Sequence, residues 1–349
     1  MSEHDWVVID GTEGEGGGQL LRTSLTLSMV TGMPFEMVHI RAKRPNPGIQ
    51  AQHLQALLAA QQICGASLEG VVKGSMQVRF IPGMPQGGSY RFDIGTAGAT
   101  SLVLHTLYLP LSRAGQPSTL HIIGGTHVAW SPTFNHLVEA WLPCLRRMGL
   151  PMELALSRAG FYPQGGGEIT VRIEPMTALQ PIRLEARGAL REVRVFSAHT
   201  NLKDEVSERQ ARAAERVLRE AGLHPGVERA HLASFSRNTV CAVTGICENA
   251  RVCYTALGEP GKRAERVAEE ACKAFLAFLR TDATVDEYLA DQLLLPFALA
   301  TGPSVFRTPC VTSHLLTNIA TIQKFLSVTI HLTGALGQPG RVEVTPAAA

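Results

Sequence analysis

Apolar and polar positions alternate along this chain in short blocks punctuated by glycine and proline. Trp6-Val7-Val8-Ile9-Asp10 reads as a strand. Leu20, Leu21, Leu25, Leu27 and Met29 are the apolar positions of a helix predicted over about Gln19–Val30. Gly32 stops that helix, Pro34 prevents its resumption, and Phe35–Ile40 reads as the next strand. A second helix over about Gln52–Ile63 and a strand at Gln77–Ile81 complete the block.

The block recurs. Asp10, Thr23, Gly32, Pro34, Ile40 and His53 correspond to Asp93, Thr106, Gly115, Pro117, Ile123 and His136, each 83 positions on. The second copy runs from the turn Gly95-Thr96-Ala97-Gly98 through helices at Ser101–Leu111 and Phe134–Met148, with strands at Thr119–Ile123 and Glu168–Ile173. A shorter third copy is marked by Gln292-Leu293-Leu294, which matches Gln19-Leu20-Leu21, and by His314-Leu315, which matches His53-Leu54. Strands near Ser327–Leu332 and Arg341–Val344 finish it. Internal repeats of this kind redirect the fold assignment. The expectation is an α/β (α+β) chain of three two-helix, four-stranded-sheet units around a pseudo-threefold axis.

Residues Ile182 to Leu279 do not fit the repeat. They read strand, charged helix (Asp204–Ala221), two strands (Thr239–Cys247 and Ala250–Ala256) and helix (Ala264–Leu279). Glu205/Arg209 and Glu208/Arg212 are i,i+4 pairs of a solvated face. The predicted organisation is a large domain over 1–181, an inserted α/β domain over 182–280, and the return of the large domain over 281–349.

Composition narrows the function class. The 349 residues are 45% hydrophobic and 18% charged, which is globular and not disordered. A net charge of +2 argues against a non-specific nucleic-acid coat while leaving room for a local basic pocket. Seven cysteines are scattered singly with no Cys-x-x-Cys pair, so neither a disulfide framework nor a zinc site is indicated and a reducing, cytoplasmic setting is expected. The polar start Met1-Ser2-Glu3-His4-Asp5-Trp6 lacks a signal-peptide core, and no apolar run is long enough to span a membrane.

Two segments carry candidate chemistry. Gly14-Glu15-Gly16-Gly17-Gly18-Gln19 opens a helix after a strand, where backbone N–H groups can cradle a phosphate. It lacks the Gly-Lys-Ser/Thr of a P-loop. Glu15 would repel an anion unless a divalent cation intervened, so it is a candidate Mg²⁺ contact; a tight turn with a helix-dipole carboxylate is the plainer reading. Arg22, Arg41 and Arg44 suit bidentate phosphate recognition beside that turn, and Lys43 adds a further positive charge. Gly160 to Gly167, which precedes a strand, reads as a structural turn. Tyr288-Leu289-Ala290-Asp291-Gln292 offers an aromatic, a carboxylate and an amide to a purine nucleoside. In Thr312-Ser313-His314-Leu315, a capped helix start sets the His314 imidazole beside first-turn N–H groups, where a neutral ring can attack phosphorus.

Asp10-Gly11-x-x-Gly14-Glu15-Gly16-Gly17-Gly18-Gln19, Gly160-Phe161-Tyr162-Pro163, Glu287-Tyr288-Leu289-Ala290-Asp291-Gln292 and Ser313-His314-Leu315-Leu316-Thr317-Asn318 together resemble the RNA 3′-terminal phosphate cyclase family over nearly the whole chain. The resemblance implies that the repeats are like the C-terminal domain of translation initiation factor 3 and that the insertion is thioredoxin-like. It implies an RNA bearing a 3′-phosphate and ATP as substrates, with Mg²⁺ or Mn²⁺. His314 matches the adenylated nucleophile and Glu15 the metal-contacting glutamate. Arg22, Arg41, Arg44, Gln52 and His53 match residues of the phosphate and RNA-end pocket. Pro132 and Tyr288 through Gln292 match ATP-binding positions. His105 stands where some members carry a nucleotide-contacting glutamine, and His136 where some carry an aromatic that packs on adenine. Two alternatives share the architecture: a non-catalytic ribosome-assembly protein and an enolpyruvyl transferase. No motif fixes the oligomeric state, a homodimer included.

Overall fold

The computed structural model describes residues 6–347, and its mixed α/β elements form four small sheets with helices packed between them. The polar stretch Met1–Asp5 lies outside the described residues. The first block contains β1 (Val7–Asp10), α1 (Gly18–Thr31), β2 (Phe35–Val38), α2 (Ala51–Cys64), β3 (Ser67–Glu69) and β4 (Val78–Ile81). Its sheet order is β1-β2-β4-β3. β1 and β2 are parallel, as a helical crossover between them requires, and the remaining pairs are antiparallel.

The second block contains β5 (Ser89–Asp93), α3 (Thr100–Ser112), β6 (Ser118–Gly124), α4 (Phe134–His136), a π-helical turn at Leu137–Trp141, α5 (Leu142–Arg147), β7 (Met152–Arg158) and β8 (Gly167–Ile173). Its order, β5-β6-β8-β7, follows the same path as the first. Next come β9 (Leu190–Thr200), α6 (Asp204–Glu220), β10 (Gly226–His231), β11 (Asn238–Cys247), β12 (Arg251–Leu257) and α7 (Ala264–Leu279), in a sheet ordered β10-β9-β11-β12. The chain ends with α8 (Glu287–Ala298), β13 (Ser304–Thr308), α9 (Ser313–Phe325), β14 (Val328–Thr333) and β15 (Gly340–Pro346).

This last sheet has three strands, β13-β15-β14, where four were expected. The fourth place is taken by the segment 179–184, which makes isolated parallel bridges at Leu179–Ala300 and Arg183–Val305. Pro181 has no N–H to donate and interrupts the ladder between those bridges. Ile182 and Leu184 nevertheless bond Val305, so this stretch runs with the third sheet and not with β9.

α1 is buried on almost every side. Leu21, Leu25 and Leu27 are in the core, and so are its polar residues Gln19, Thr23, Ser24, Thr26 and Ser28. A helix buried all round needs partners for such groups. Thr26 donates to Thr106 O on α3 (3.0 Å), and Thr23 donates to Asn318 Oδ1 on α9 (2.7 Å). Across the molecule α1 packs on α9, α3 packs on α2, and α8 packs on the π-helical turn.

Four strands escaped the sequence reading: β7 does so although it alternates Met152, Leu154 and Leu156, and the other three offer little apolar alternation. β3 is three residues long, β10 is almost wholly exposed, and β13 ends against Thr308-Pro309. On α6, Glu208 and Arg212 pair as expected, but Arg209 leaves Glu205. It grips Glu265 of α7 through Nε (2.7 Å) and Nη2 (2.8 Å), because α7 lies alongside and a bidentate carboxylate fits the guanidinium fork. The Gly160–Gly167 loop is a close-packing turn: a Cβ on Gly160 would overlap Gly124 O. Through this loop Ala159 bonds Ala233 O (2.8 Å), and Phe161 stacks on His127 with ring centroids 5.2 Å apart.

His127 is buried, and burial lowers its pKa to about 4, against an ordinary value near 6.5. As pH falls, the unfolded chain takes up this proton first. The stability contribution is therefore full above pH 6.5 and is lost progressively down to about 4. Denaturant unfolding at pH 7 and pH 5 should show His127→Gln losing about 2 kcal/mol less than the wild type over that interval. An equal loss in both proteins would remove His127 as a source of acid lability.

Candidate active site

The glycine-rich turn before α1 is shaped by approaches that a side chain would block. A Cβ on Gly14, whose φ is +54°, would overlap Thr317 Oγ1, and one on Gly18 would overlap the His53 ring. Thr317 belongs to α9 and His53 to α2, so the turn draws three elements to one point. Glu15 N–H donates to Thr317 Oγ1 at 3.2 Å.

The three His-Leu helix starts do different work. His53 follows its N-cap, Gln50, by three residues, and its Nδ1 accepts from Gln50 N–H (3.2 Å) in a capping box. His136 also follows its cap, Thr133, by three, and its Nε2 faces the Asp286 carboxylate at 3.3 Å. His314 follows its cap, Thr312, by only two. One residue turns a helical side chain by about 100°. The His314 ring accordingly leaves its own helix end and points at α1, with its side chain half exposed.

There His314 Nδ1–H donates to Gln19 Oε1 at 2.6 Å. Gln19 Nε2–H donates in turn to Asp291 Oδ2 at 2.6 Å. Glu15 Oε2 lies 2.7 Å from the same imidazole nitrogen. It is off the hydrogen-bond direction, however, and this buried oxygen has no hydrogen-bond donor among the described residues. Glu15 Oε1 pairs with Arg44. His314 Nε2 has no protein partner among the described residues.

Contact with the Glu15 carboxylate raises the His314 pKa, burial opposes it, and the Asp291 charge adds to the rise. Burial pushes the Glu15 carboxyl up, but His314 and Arg44 together hold it below its ordinary range. Burial pushes Asp291 up to about 6 against the pull of His314 and Arg22. Burial also brings Arg22 down to about 10. His53 falls to about 3, through burial first and then Arg22 and Arg41. It is thus a neutral ring beside two cations.

Arg22, Arg41, Arg44 and His53 converge on this turn. Arg41 sits at φ +55° and spends Nη2 on Asn46 O (3.2 Å). The Nε groups of Arg41 and Arg44 are buried with no acceptor among the described residues. Unfilled guanidinium donors over a helix N-terminus suit an anionic, multivalent ligand such as a polyphosphate or a phosphate end. Gln52, the residue before His53 on α2, lies instead against the Gly98 turn of the second block.

A cavity of about 650 Å³ runs from His314 toward β12. Arg22, His105, Pro132, His136, Tyr288, Asp291, Gln292 and His314 line it. Leu289 and Ala290 do not, because both are fully buried in the core beneath it. His105 rests on Trp141, and its Nε2 is without a partner among the described residues. Asp291 turns its carboxylate into Gln19, so it stands behind the imidazole more than against a ligand.

The sequence reading did not assign a role to Gln19, Thr317 or Asn318, although all three lie in the motifs it singled out. It also missed the far wall, formed by Tyr254 and Lys262 of the segment between β9 and α7. Nothing in the local pattern of that segment points toward a ligand. Tyr254 bonds Glu287 at 2.7 Å, and Lys262 pairs with Glu270.

Comparison with known proteins finds relatives along almost the whole chain. A family model described as RNA 3′-terminal phosphate cyclase matches residues 13–332. A protein of Ralstonia nicotianae called RNA 3′-terminal phosphate cyclase is 44% identical over 328 residues, 94% of this chain and 93% of its own. Proteins of the same name from Nostoc punctiforme and Methanopyrus kandleri are 44% and 40% identical. The first alignment covers 91% of this chain and 94% of the relative, the second 97% and 99%.

Because Glu15 holds the His314 pKa up, Glu15→Gln should lower it toward the ordinary value, enlarging the neutral fraction at any pH near 7. An imidazole NMR titration of the protein without added metal or nucleotide reads this directly. An unchanged or higher pKa in the variant would show that Glu15 does not govern the ring.

Proposed function

The chain belongs to the RNA 3′-terminal phosphate cyclase family, and on that premise we propose that it uses ATP to convert an RNA 3′-terminal phosphate into a 2′,3′-cyclic phosphate through a His314–AMP intermediate. It is an enzyme of this class. The observation that carries the covalent route is the His314 ring: Nδ1 is engaged, Nε2 has no partner among the described residues, and the ring borders both the cavity and the arginine-lined turn.

In the first step Nε2 attacks the α-phosphorus of ATP. A P–N bond forms, the α–β P–O bond breaks, and pyrophosphate leaves beside Arg22, Arg41 and Arg44. In the second, an oxygen of the RNA 3′-phosphate attacks the adenylyl phosphorus. The P–N bond breaks, giving RNA(3′)pp(5′)A and free His314. In the third, the vicinal 2′-OH attacks the activated 3′-phosphorus, AMP leaves, and the hydroxyl proton passes to water. The cavity would take the nucleoside, with Tyr288, Pro132, Gln292, His105 and His136 around it. Gln52 and His53 would sit with the arginines at the RNA end.

Glu15 fits a divalent cation. Its Oε2 is buried without a donor among the described residues, and Mg²⁺ usually takes one or two carboxylates together with phosphate oxygens. Among the described residues no group of three or more His, Cys, Asp or Glu side chains is placed to hold a metal ion. When bound, such a cation, Mg²⁺ or Mn²⁺, supplies charge neutralisation at the phosphates.

We read the architecture as three like units around a pseudo-threefold axis. Support comes from the shared strand order of the first two sheets and from the cyclic packing of each first helix on another unit's second helix. The βαβββα segment from β9 to α7 reads as a thioredoxin-like insertion between strand 182–184 and α8. The free cysteines fit a reducing, cytoplasmic setting. Among the described residues no helix is long and apolar enough to cross a membrane.

Incubation with α-labelled ATP and Mg²⁺ should leave label on the wild-type protein and none on His314→Ala. Unlabelled wild type, or a mutant labelled as strongly, would sink the mechanism. Glu15→Ala should fold and yet demand more metal for the same labelling, and an unaltered metal titration would take Glu15 out of the site.

A further inference from the structure

Gln19 is buried at the start of α1 with both ends of its amide engaged. A carboxylate only accepts hydrogen bonds, so the Asp291 side must receive the NH₂ of Gln19. The carbonyl is then turned toward His314. A carbonyl oxygen 2.6 Å from Nδ1 requires a proton on that nitrogen, because the other neutral tautomer would oppose two lone pairs. Glu15 Oε2, 2.7 Å from the same nitrogen, favours that proton through its charge but is not aligned to accept it, so the directed hydrogen bond is the one to Gln19.

We propose that Gln19 is a positioning residue that carries the polarity of Asp291 to His314, fixes the Nδ1–H tautomer, and so keeps the Nε2 lone pair free for attack. The proposal rests on His314 being the nucleophile. A second layer holds the relay still. Asn318 Nδ2 donates to Asp291 O (2.9 Å), while its Oδ1 accepts from Thr23 (2.7 Å), so α1, α8 and α9 are tied at one level. A role of this kind is distinct from that of Glu15. With the ring oriented by Gln19, the Glu15 carboxylate is left for the cation and for Arg44. Once Nε2 bears AMP, the positively charged ring still donates Nδ1–H to the same carbonyl, and Asp291 offsets its charge through the amide.

The test uses the full chain labelled with ¹⁵N in its imidazoles, above the His314 pKa and without nucleotide. The wild-type His314 should carry its proton on Nδ1, and Gln19→Met should shift it toward Nε2. Labelling by α-labelled ATP should slow on the order of 10–100-fold in Gln19→Met, with half-saturating ATP changed less than about twofold. Gln19→Glu alone sets two carboxylates against each other. Adding Asp291→Asn restores an amide that donates and a carboxylate that accepts, so the double variant should label on the order of 10-fold faster than Gln19→Glu. The swap conserves volume and carries the test if Gln19→Met does not fold. A wild-type proton on Nε2, an unslowed Gln19→Met, or a double variant no faster than Gln19→Glu would each overturn the relay. If the wild type shows the Nδ1–H ring but takes no label, the nucleophile assignment fails and the relay is overturned as a catalytic device.

Discussion

A neutral imidazole has one nitrogen with a proton and one with a lone pair, and only the second can bond phosphorus. Which is which depends on the neighbours of the ring. Around His314 the neighbours form a directed chain, from the partly buried Asp291 carboxylate through the Gln19 amide to Nδ1. Much of the fold keeps that chain in line. The glycine turn starts α1 at the height of Gln19, the Thr312 cap starts α9 two residues before His314, and Asn318 spans α1 and α8.

The arrangement has an energetic cost that explains its density of hydrogen bonds. Asp291, Arg22 and Glu15 are charged groups wholly or partly withdrawn from water, and desolvation alone would drive each toward neutrality. They are held by one another and by Gln19, Arg44 and Thr317, in a low-dielectric setting where a satisfied network is strong and an unsatisfied one is costly. The unfilled Nε donors of Arg41 and Arg44 and the unbonded Glu15 Oε2 mark where that satisfaction is incomplete. Those atoms are what an incoming polyphosphate with its counter-cation would complete.

The sequence announced the glycine turn, the helices around it and the three histidines, because each depends on local rules: punctuation by glycine, caps, and the period of apolar residues. It was silent where long-range packing decides. β10 is an exposed edge strand without alternation, and Arg209 chose a carboxylate 56 positions away over one a turn away. Tyr254 and Lys262 reach the cavity only because β12 lies against the helix that begins at Phe134. Leu289 and Ala290, which sit between two site residues in a quoted motif, proved to be core, since a helix presents neighbouring residues to different faces. Gln19 was in plain view, but its role depends on Asp291 and His314, and no local pattern joins the three.

The histidines show how a repeated scaffold can avoid three identical sites. Each begins a helix and each is followed by leucine, yet His53 and His136 stand three residues past their caps and His314 stands two. At the third position a side chain folds back over the helix start, where His53 closes a capping box; His136 reaches Asp286, the cap of α8. At the second it swings by about 100° and meets the neighbouring helix instead. Leucine at the next position stays buried at His314-Leu315 and at His136-Leu137, so the core contact survives while the imidazole is redirected. A shift of one residue in where a helix starts is enough to separate a ring that holds the scaffold from a ring with a free nitrogen at the mouth of a cavity.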